Sequence, residues 1–252
     1  MLVEERKARL LAILAETGHV VARSASDAMG VSEDTIRRDL RELARDGKLK
    51  RVHGGAMPLS PATAPFDGRL KLQDAEKAAI GRAAANLVEA GQLIFLDGGT
   101  TALNVARSLP ETLAATVMTH SPNVALELMR CPRIDIEIVG GRLFRHSIVT
   151  TGAATMSWLS RFRPDIAFIG ATGLHPDHGV TTGDSEEAEV KRKVIDLSGS
   201  TYVLASSEKI GAVSSFVIGA LGDVDGIITG AEADRAMLEA IAAAGPALIE
   251  AG

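Results

Sequence analysis

The chain has 252 residues and a formal net charge of −5, with 46% hydrophobic, 23% charged and only 3% aromatic residues. Those proportions exclude wholesale disorder, allow an aliphatic core and argue against a single-strand binder that stacks bases on aromatic platforms. A single cysteine, Cys131, excludes an internal disulfide and a cysteine-based metal site.

No apolar run approaches the ~20 residues of a membrane span, and the opening MLVEERKARL has no signal-peptide core. The expectation is a cytoplasmic protein with no membrane partner. Charge is divided unevenly: residues 1–57 carry 11 Lys/Arg against 9 Asp/Glu, and residues 58–252 carry 16 against 23. From Val3 to Ala15, apolar Val3, Leu10, Leu11, Ile13 and Leu14 alternate with charges, predicting an amphipathic helix closed by Gly18. His19 to Ala22 is extended, Arg23 to Met29 a second short helix, and Gly30 a sharp turn. Ser32 is the expected N-cap of a third helix, with Glu33 and Asp34 in its first turn and Thr35 at its third position. Ile36, Leu40 and Leu43 recur at i, i+4 and i+7, burying one stripe and leaving Thr35, Arg37, Arg38 and Arg41 pointing outward. Gly47 ends the helix, and LKRVHGGA reads as a short basic hairpin carrying Arg51 and His53.

Three short helices, a glycine turn and a hairpin describe a winged helix-turn-helix, whose third helix enters the major groove of duplex DNA. From Arg37 to Arg51, seven cations face three acids, and guanidinium groups suit both phosphate and guanine edges. The expected DNA-binding residues are Ser32, Glu33, Thr35, Arg37, Arg38, Arg41 and Arg51, with His53 either against the phosphate backbone or a plain surface histidine at the turn. A solvated basic face is the plain alternative; agreement of cap, turn, stripe and hairpin disfavours it. VSEDTIRRDLRELARDGKLKRVHGGA resembles the signature of the DeoR family of bacterial transcriptional regulators. Ala25 and Ser26 depart from it, standing where the family usually has Leu and Ala. The Pro-rich MPLSPATAPFDGR, with Pro58, Pro61 and Pro65, disfavours helix and reads as a linker. The expected organisation is a DNA-binding module over 1–57, a linker over 58–73 and a second unit over 74–252.

In the second unit Asp74 caps a helix running to Val88, Gly91 stops it, and the strand QLIFLD leads into GGTTALNVARSL. TVMTH, a helix beginning near Pro122 to Asn123, the strand IDIEIVGG, a loop and a helix from Ala153 to Leu159 follow. DIAFIGAT, a helix from Ser185 to Leu197, TYVLAS, DGIIT and a last helix from Ala231 to Ala244 complete the alternation. The fold class is therefore α/β, a mostly parallel sheet covered on both faces, with ligands gathering at the carboxyl ends of the strands. There, Asp97, Gly98, Gly99, Thr100 and Thr101 combine a strand exit with a helix start whose amides suit a phosphate. GxGxxG and GxxxxGK[ST] are absent, which disfavours dinucleotides and nucleoside triphosphates. Ser121 and Asn123 are read as donors into the same crevice. Glu187 and Lys191 form an i, i+4 pair that also suits a plain surface stabiliser. Lys209, at another strand exit, is either a phosphate partner or an ordinary solvated lysine.

EKAAIGRAAANLVEAGQLIFLDGGTTALNVA, MTHSPNVALEL, DIAFIGATGLHPDHGVTTGDSEEAEVKR and VLASSEKIG resemble successive blocks of the DeoR-family effector domain, which is similar in fold to ribose-5-phosphate isomerase. The resemblance implies a sensor of a phosphorylated sugar or related metabolite, with Asp97, Gly99, Thr100, Thr101, Ser121, Asn123, Glu187 and Lys209 as its effector positions. Ser206 stands where the family usually has Asp, Glu208 where it has a small hydroxyl residue, and Gly230 where Asp is common. The expected function is a repressor of a sugar or polyol catabolic operon. It would bind double-stranded operator DNA, assemble as a homodimer or homotetramer, and use no cofactor or metal. An aldose-ketose phosphate isomerase with Asp97 or Glu187 as base is the rival reading; fold alone does not confer that activity. A metal sensor built on His175, Asp177 and His178 competes with a plain turn.

Overall fold

The computed structural model describes residues 2–252 apart from 59, 61 and 63, so Pro61 of the expected linker lies outside the described residues. The N-terminal module runs α1 (Val3–Thr17), β1 (Val20–Val21), α2 (Ala22–Met29), α3 (Glu33–Arg45), β2 (Lys50–Val52) and β3 (Gly55–Met57). Leu10, Leu14, Ala25, Ile36, Leu40 and Leu43 close one small core between the helices. The strands pair antiparallel in the order β1-β3-β2 and form the wing. Gly18 and Gly30 end α1 and α2 at φ 72° and 63°, left-handed conformations in which a Cβ is strained. Ser32 caps α3, its Oγ accepting from Thr35 N at 3.2 Å. Ala25 and Ser26 are both buried, and the Ser26 hydroxyl donates to the Arg23 carbonyl at 2.7 Å, so the polar atom at this small pair is satisfied.

After the connecting α4 (Phe66–Arg69), the second unit begins with α5 (Asp74–Ala85), β4 (Leu93–Leu96), α6 (Thr100–Ser108), β5 (Ala115–Thr119), α7 (Pro122–Leu128) and β6 (Ile134–Ile138). It continues with β7 (Arg142–Phe144), β8 (Val149–Thr151), α8 (Ala153–Leu159), β9 (Ile166–Gly170), β10 (Gly173–His175), β11 (Gly179–Thr182) and α9 (Ser185–Leu197). β12 (Ser200–Ala205), β13 (Phe216–Gly219), β14 (Gly226–Gly230), α10 (Arg235–Ala242) and β15 (Ala247–Ala251) close it. Seven strands form one parallel sheet in the order β15-β14-β12-β9-β4-β5-β6. Both faces are covered, which explains why strands such as Leu93–Leu96 and Ile166–Gly170 are apolar without alternation. Ile94 and Leu96 pack with α5, α6 and α7 on one side, and Phe95 with α8, α9 and α10 on the other. From β4 the chain steps outward through β5 and β6, and from β9 it steps the other way, so the strand order reverses between β4 and β9. Such a reversal splays the flanking connections apart and opens a crevice at the carboxyl ends.

Several segments differ from expectation. α5 ends at Ala85 rather than Val88, and α10 spans Arg235–Ala242, because Asp234 caps it by accepting from Met237 N at 2.8 Å. The predicted loop after β6 contains the hairpin β7/β8, and β10, β11 and β13 make a separate antiparallel sheet. β15 extends the main sheet beyond the last predicted helix. Within the Pro-rich segment read as a linker, residues Phe66–Arg69 form a helical turn.

Candidate functional site

On α3, burial of Ile36, Leu40 and Leu43 leaves Arg37, Arg38 and Arg41 exposed, as the periodicity requires. Ser32 is exposed and Glu33 and Thr35 half-buried at the same helix start, while Arg51 and His53 are exposed on the wing. Four of these side chains are already engaged with one another. Arg37 donates to Glu33 Oε1 through Nε (3.1 Å) and Nη2 (2.6 Å), and the Ser32 and Thr35 hydroxyls are 2.9 Å apart. The orientation of α3 rests on a contact that sequence reasoning missed: Arg6 of α1 grips Asp39 through Nε (2.5 Å) and Nη2 (3.1 Å), both residues buried. Asp39 lies at i+3 from Ile36, on the buried stripe itself, and that placement was its signal.

In the second unit a cavity of ≈ 270 Å³ opens at the reversal between β4 and β9. Eight of the ten predicted effector residues line it: Asp97, Gly98, Gly99, Thr100, Thr101, Glu187, Lys191 and Lys209. The double glycine is a steric requirement. A Cβ at Gly98 would lie 2.2 Å from Val149 Cγ1, and Gly99 has φ 93°. No side chain caps α6, which leaves its first-turn amides without a capping partner, and Thr100 and Thr101 of that turn line the cavity. Ser121 and Asn123 do not line this cavity. Ser121 is fully buried behind the turn and donates to the Ile148 carbonyl at 3.3 Å. Asn123, one residue into α7 after Pro122, faces a separate depression beside Leu103 and Arg130.

Asp97, 1% exposed, organises the floor. Its Oδ2 accepts from Gly170 N at 2.7 Å and from Lys191 Nζ, and its Oδ1 accepts from His120 Nε2 at 2.7 Å. Burial alone would raise its pKa, but the Lys191 ammonium and His120 prevail and hold the carboxyl well below the usual carboxylate range. A carboxylate so held, already accepting from three donors, is a poor general base at neutral pH. Lys191 therefore pairs with Asp97 instead of making the expected i, i+4 pair with Glu187, which accepts from Thr182 Oγ1 at 3.2 Å. Lys209 is not the solvated lysine of the plain reading. It is 6% exposed, the one described hydrogen bond of its ammonium is to the Leu204 carbonyl at 3.5 Å, and burial, with Lys77, Arg69 and Lys191 nearby outweighing the opposing Glu208, pushes its pKa down to about 8.

Sequence reasoning missed Arg69, Lys77 and His120. Arg69 and Lys77 line the cavity, and burial lowers the pKa of both. Gly230, where the resemblance leads one to expect Asp, has its space filled from α5. A Cβ there would lie 2.1 Å from Glu76 Oε1, and Glu76 instead accepts from Ser207 N (2.8 Å) and Ser207 Oγ (3.0 Å). Ser206 donates to Glu208 Oε1 at 2.8 Å, so the two other departures form one hydrogen-bonded unit at the cavity edge.

Residues 6–62 match the DeoR-like helix-turn-helix domain, and residues 72–231 match the DeoR C terminal sensor domain. The chain is 32% identical over 252 residues to the HTH-type transcriptional regulator GlpR of Haloferax volcanii, covering 99% of this chain and 98% of that protein. It is 33% identical over 231 residues to the HTH-type transcriptional repressor GlcR of Bacillus subtilis (91% and 89% covered). It is also 31% identical over 228 residues to the Glycerol-3-phosphate regulon repressor of Escherichia coli (90% of each). Among solved structures, ribose 5-phosphate isomerase A from Methanocaldococcus jannaschii aligns over 54% of each chain at 22% identity, with a TM-score of 0.40.

Proposed function

The chain belongs to the DeoR family of transcriptional regulators, and on that premise we propose that it represses a sugar or polyol catabolic operon under the control of a phosphorylated metabolite. DNA reading is assigned to residues 1–57 and sensing to 74–252, with 58–73 between them. α3 enters the major groove with Arg37, Arg38 and Arg41 toward bases and phosphates, while Arg51 and His53 of the wing track the backbone. The observation that carries the sensing half is the cavity at the strand-order reversal, where uncapped α6 amides meet buried cations around a floor of fixed charge. An anion of small size is the occupant such a lining selects. The Escherichia coli relative is named for a glycerol-3-phosphate regulon, which fits a phosphorylated polyol or sugar as the class of effector.

Control follows if the effector binds one arrangement of the two units better than another, since a ligand shifts an equilibrium only by its differential affinity. Homo-oligomerisation through the second unit would place two α3 helices on operator half-sites. The curated relatives are named as regulators, and the fixed charge on Asp97 supports a sensor without isomerase activity. No helix among the described residues is long and apolar enough to cross a membrane, in keeping with a cytoplasmic site of action. The decisive experiment is a gel shift with the upstream regulatory DNA at two salt concentrations, comparing wild type with Arg37→Ala plus Arg38→Ala. Each lost base contact costs about 1–3 kcal/mol, and each lost phosphate contact shallows the salt slope by about 0.9. Binding unaltered across sequence and salt would remove α3 as the reading helix.

A further inference from the structure

Among the described residues, three side chains keep a buried polar atom without a hydrogen-bond partner: Arg69 (Nε and Nη2), Glu208 (Oε2) and Thr229 (Oγ1). Arg69 and Glu208 both line the cavity. The two unpaired nitrogens of Arg69 share one edge of the guanidinium, the edge that presents parallel N–H groups to two oxygens of one anion. Elsewhere in this chain the same edge is occupied: Arg6 closes it on Asp39 and Arg37 on Glu33. In Arg69 it is held out of water and uncommitted, a costly state for a charged group.

The origin of Arg69 matters as much as its edge. It ends α4, in the segment that joins the DNA-reading module to the sensor, and that segment is tied down from below. Lys77 of α5, 1% exposed, donates to the Arg69 carbonyl at 2.8 Å and to the Leu72 carbonyl, and Phe66 N donates to the His146 carbonyl at 3.0 Å. Gln73 then turns the chain into α5 at φ 50°, a left-handed conformation unfavourable for a non-glycine residue that persists only where neighbours enforce it. The guanidinium consequently hangs over the start of α6, its Nη1 3.6 Å from where a side chain on Gly99 would begin. Around Lys209 the cations Lys77, Arg69 and Lys191 face one acid, Glu208, with Lys191 itself paired to Asp97, and an anion would relieve the remaining repulsion.

We propose that Arg69 is an anion ligand of the sensor pocket supplied by the interdomain segment, so that a phosphoryl group is held jointly by its guanidinium and by the Gly98-Gly99-Thr100-Thr101 turn. Occupancy then acts directly on the stretch of chain that carries the DNA-reading module. This rests on the phosphorylated-metabolite reading above and adds which residue couples the site to the DNA.

The test uses the full chain, with inorganic phosphate and glycerol 3-phosphate as probes, followed by thermal shift and titration calorimetry. Both probes should stabilise the wild type. Arg69→Met should bind both on the order of 10- to 100-fold more weakly, the loss of charge-assisted hydrogen bonds, and Arg69→Lys should fall between because an ammonium cannot fork. Lys71→Ala, on the exposed side of the same segment, should bind like wild type. The unliganded midpoint of Arg69→Met should stay level or rise, since replacing an unpaired buried charge by an apolar side chain is neutral or stabilising. A purely structural Arg69 would lower it. Glycerol 3-phosphate should also change the DNA affinity of the wild type and leave that of Arg69→Met unchanged at the same concentration. Phosphate binding by Arg69→Met within twofold of wild type overturns the proposal while leaving the sensor reading intact. A wild type stabilised by neither probe but by an unphosphorylated sugar overturns the sensor reading, and Arg69 falls with it.

Discussion

The DNA-reading module and the sensor dispose of positive charge in opposite ways. Arg37, Arg38, Arg41 and Arg51 stand in water, whereas Lys77, Lys191 and Lys209 are buried around a cavity. Exposed cations act at range on a polyanion and are screened by salt; buried ones act at contact on a small anion of matching shape and are screened little. Both units nevertheless use one aspartate, 1% exposed, to fix their geometry: Asp39 gripped by Arg6, and Asp97 gripped by Lys191 and His120. On the proposed reading, the exposed charges would do the reading and the buried acids would aim them.

The largest expected effect tests that lesson at the two aspartates. Asp97→Asn keeps the shape but leaves the Lys191 ammonium buried without its counter-charge, and breaking such a pair costs about 3–5 kcal/mol. Asp39→Asn should cost less, because Arg6 lies in a module of a few dozen residues and can swing its long side chain to nearby water. Urea unfolding followed by Trp158, the single tryptophan and a sensor residue, reports the first, and far-UV circular dichroism reports the second. A sensor that tolerates Asp97→Asn better than the module tolerates Asp39→Asn would break the comparison.

How far each region was legible in the sequence follows the same division. α3 was readable because an exposed basic face and a buried aliphatic stripe repeat every three to four residues. The parallel sheet was readable because apolar runs alternate with amphipathic helices. The hairpin β7/β8 and the strands β10 and β13 were not, since segments of three or four residues are too short to show a period. Arg69 was hidden for a related reason: a four-residue helix after a run of prolines carries no amphipathic signature, and its cavity is assembled from residues far away in the chain. His120 looked like the end of a strand, and the acid it bonds is 23 residues earlier. Where Asn123 sits was equally hidden, since sequence proximity to Ser121 says nothing about which way the first turn of α7 winds.

A smaller effect comes from the sensor's own titration. The Lys209 pKa falls from 10.5 to about 8 on folding. Between those values the folded chain holds fewer protons than the unfolded one, so the Lys209 contribution to stability increases with pH across that window. Below about 8 its burial penalty is fully present. If the proposed phosphate pairs with this ammonium, affinity for glycerol 3-phosphate should rise through about pH 6 as the phosphate gains its second charge and fall again above about 8. Lys209→Arg keeps its charge and should erase the alkaline limb. Calorimetric affinities that stay flat from pH 7 to 10 in the wild type would place the anion out of Lys209's reach.

The smallest effect concerns the cation that belongs to both regions. Lys50, on β2 of the wing, donates to Ser215 Oγ at 2.7 Å across the boundary between the units, at the edge of the cavity. While so engaged its ammonium is withheld from DNA phosphates, and the exposed hydrogen bond that withholds it is worth only about 0.5–1.5 kcal/mol. Ser215→Ala should therefore strengthen operator binding by about 2- to 10-fold and, if the released ammonium finds a phosphate, steepen the salt slope by about 0.9. Lys50→Ala should do the opposite on both counts, weakening binding and shallowing the slope. Opposite signs from two sides of one hydrogen bond are what exchange between sensor and DNA demands. Identical salt slopes for wild type and Ser215→Ala would show that Lys50 serves the sensor alone, and the division between exposed readers and buried aimers would then run cleanly between the two units.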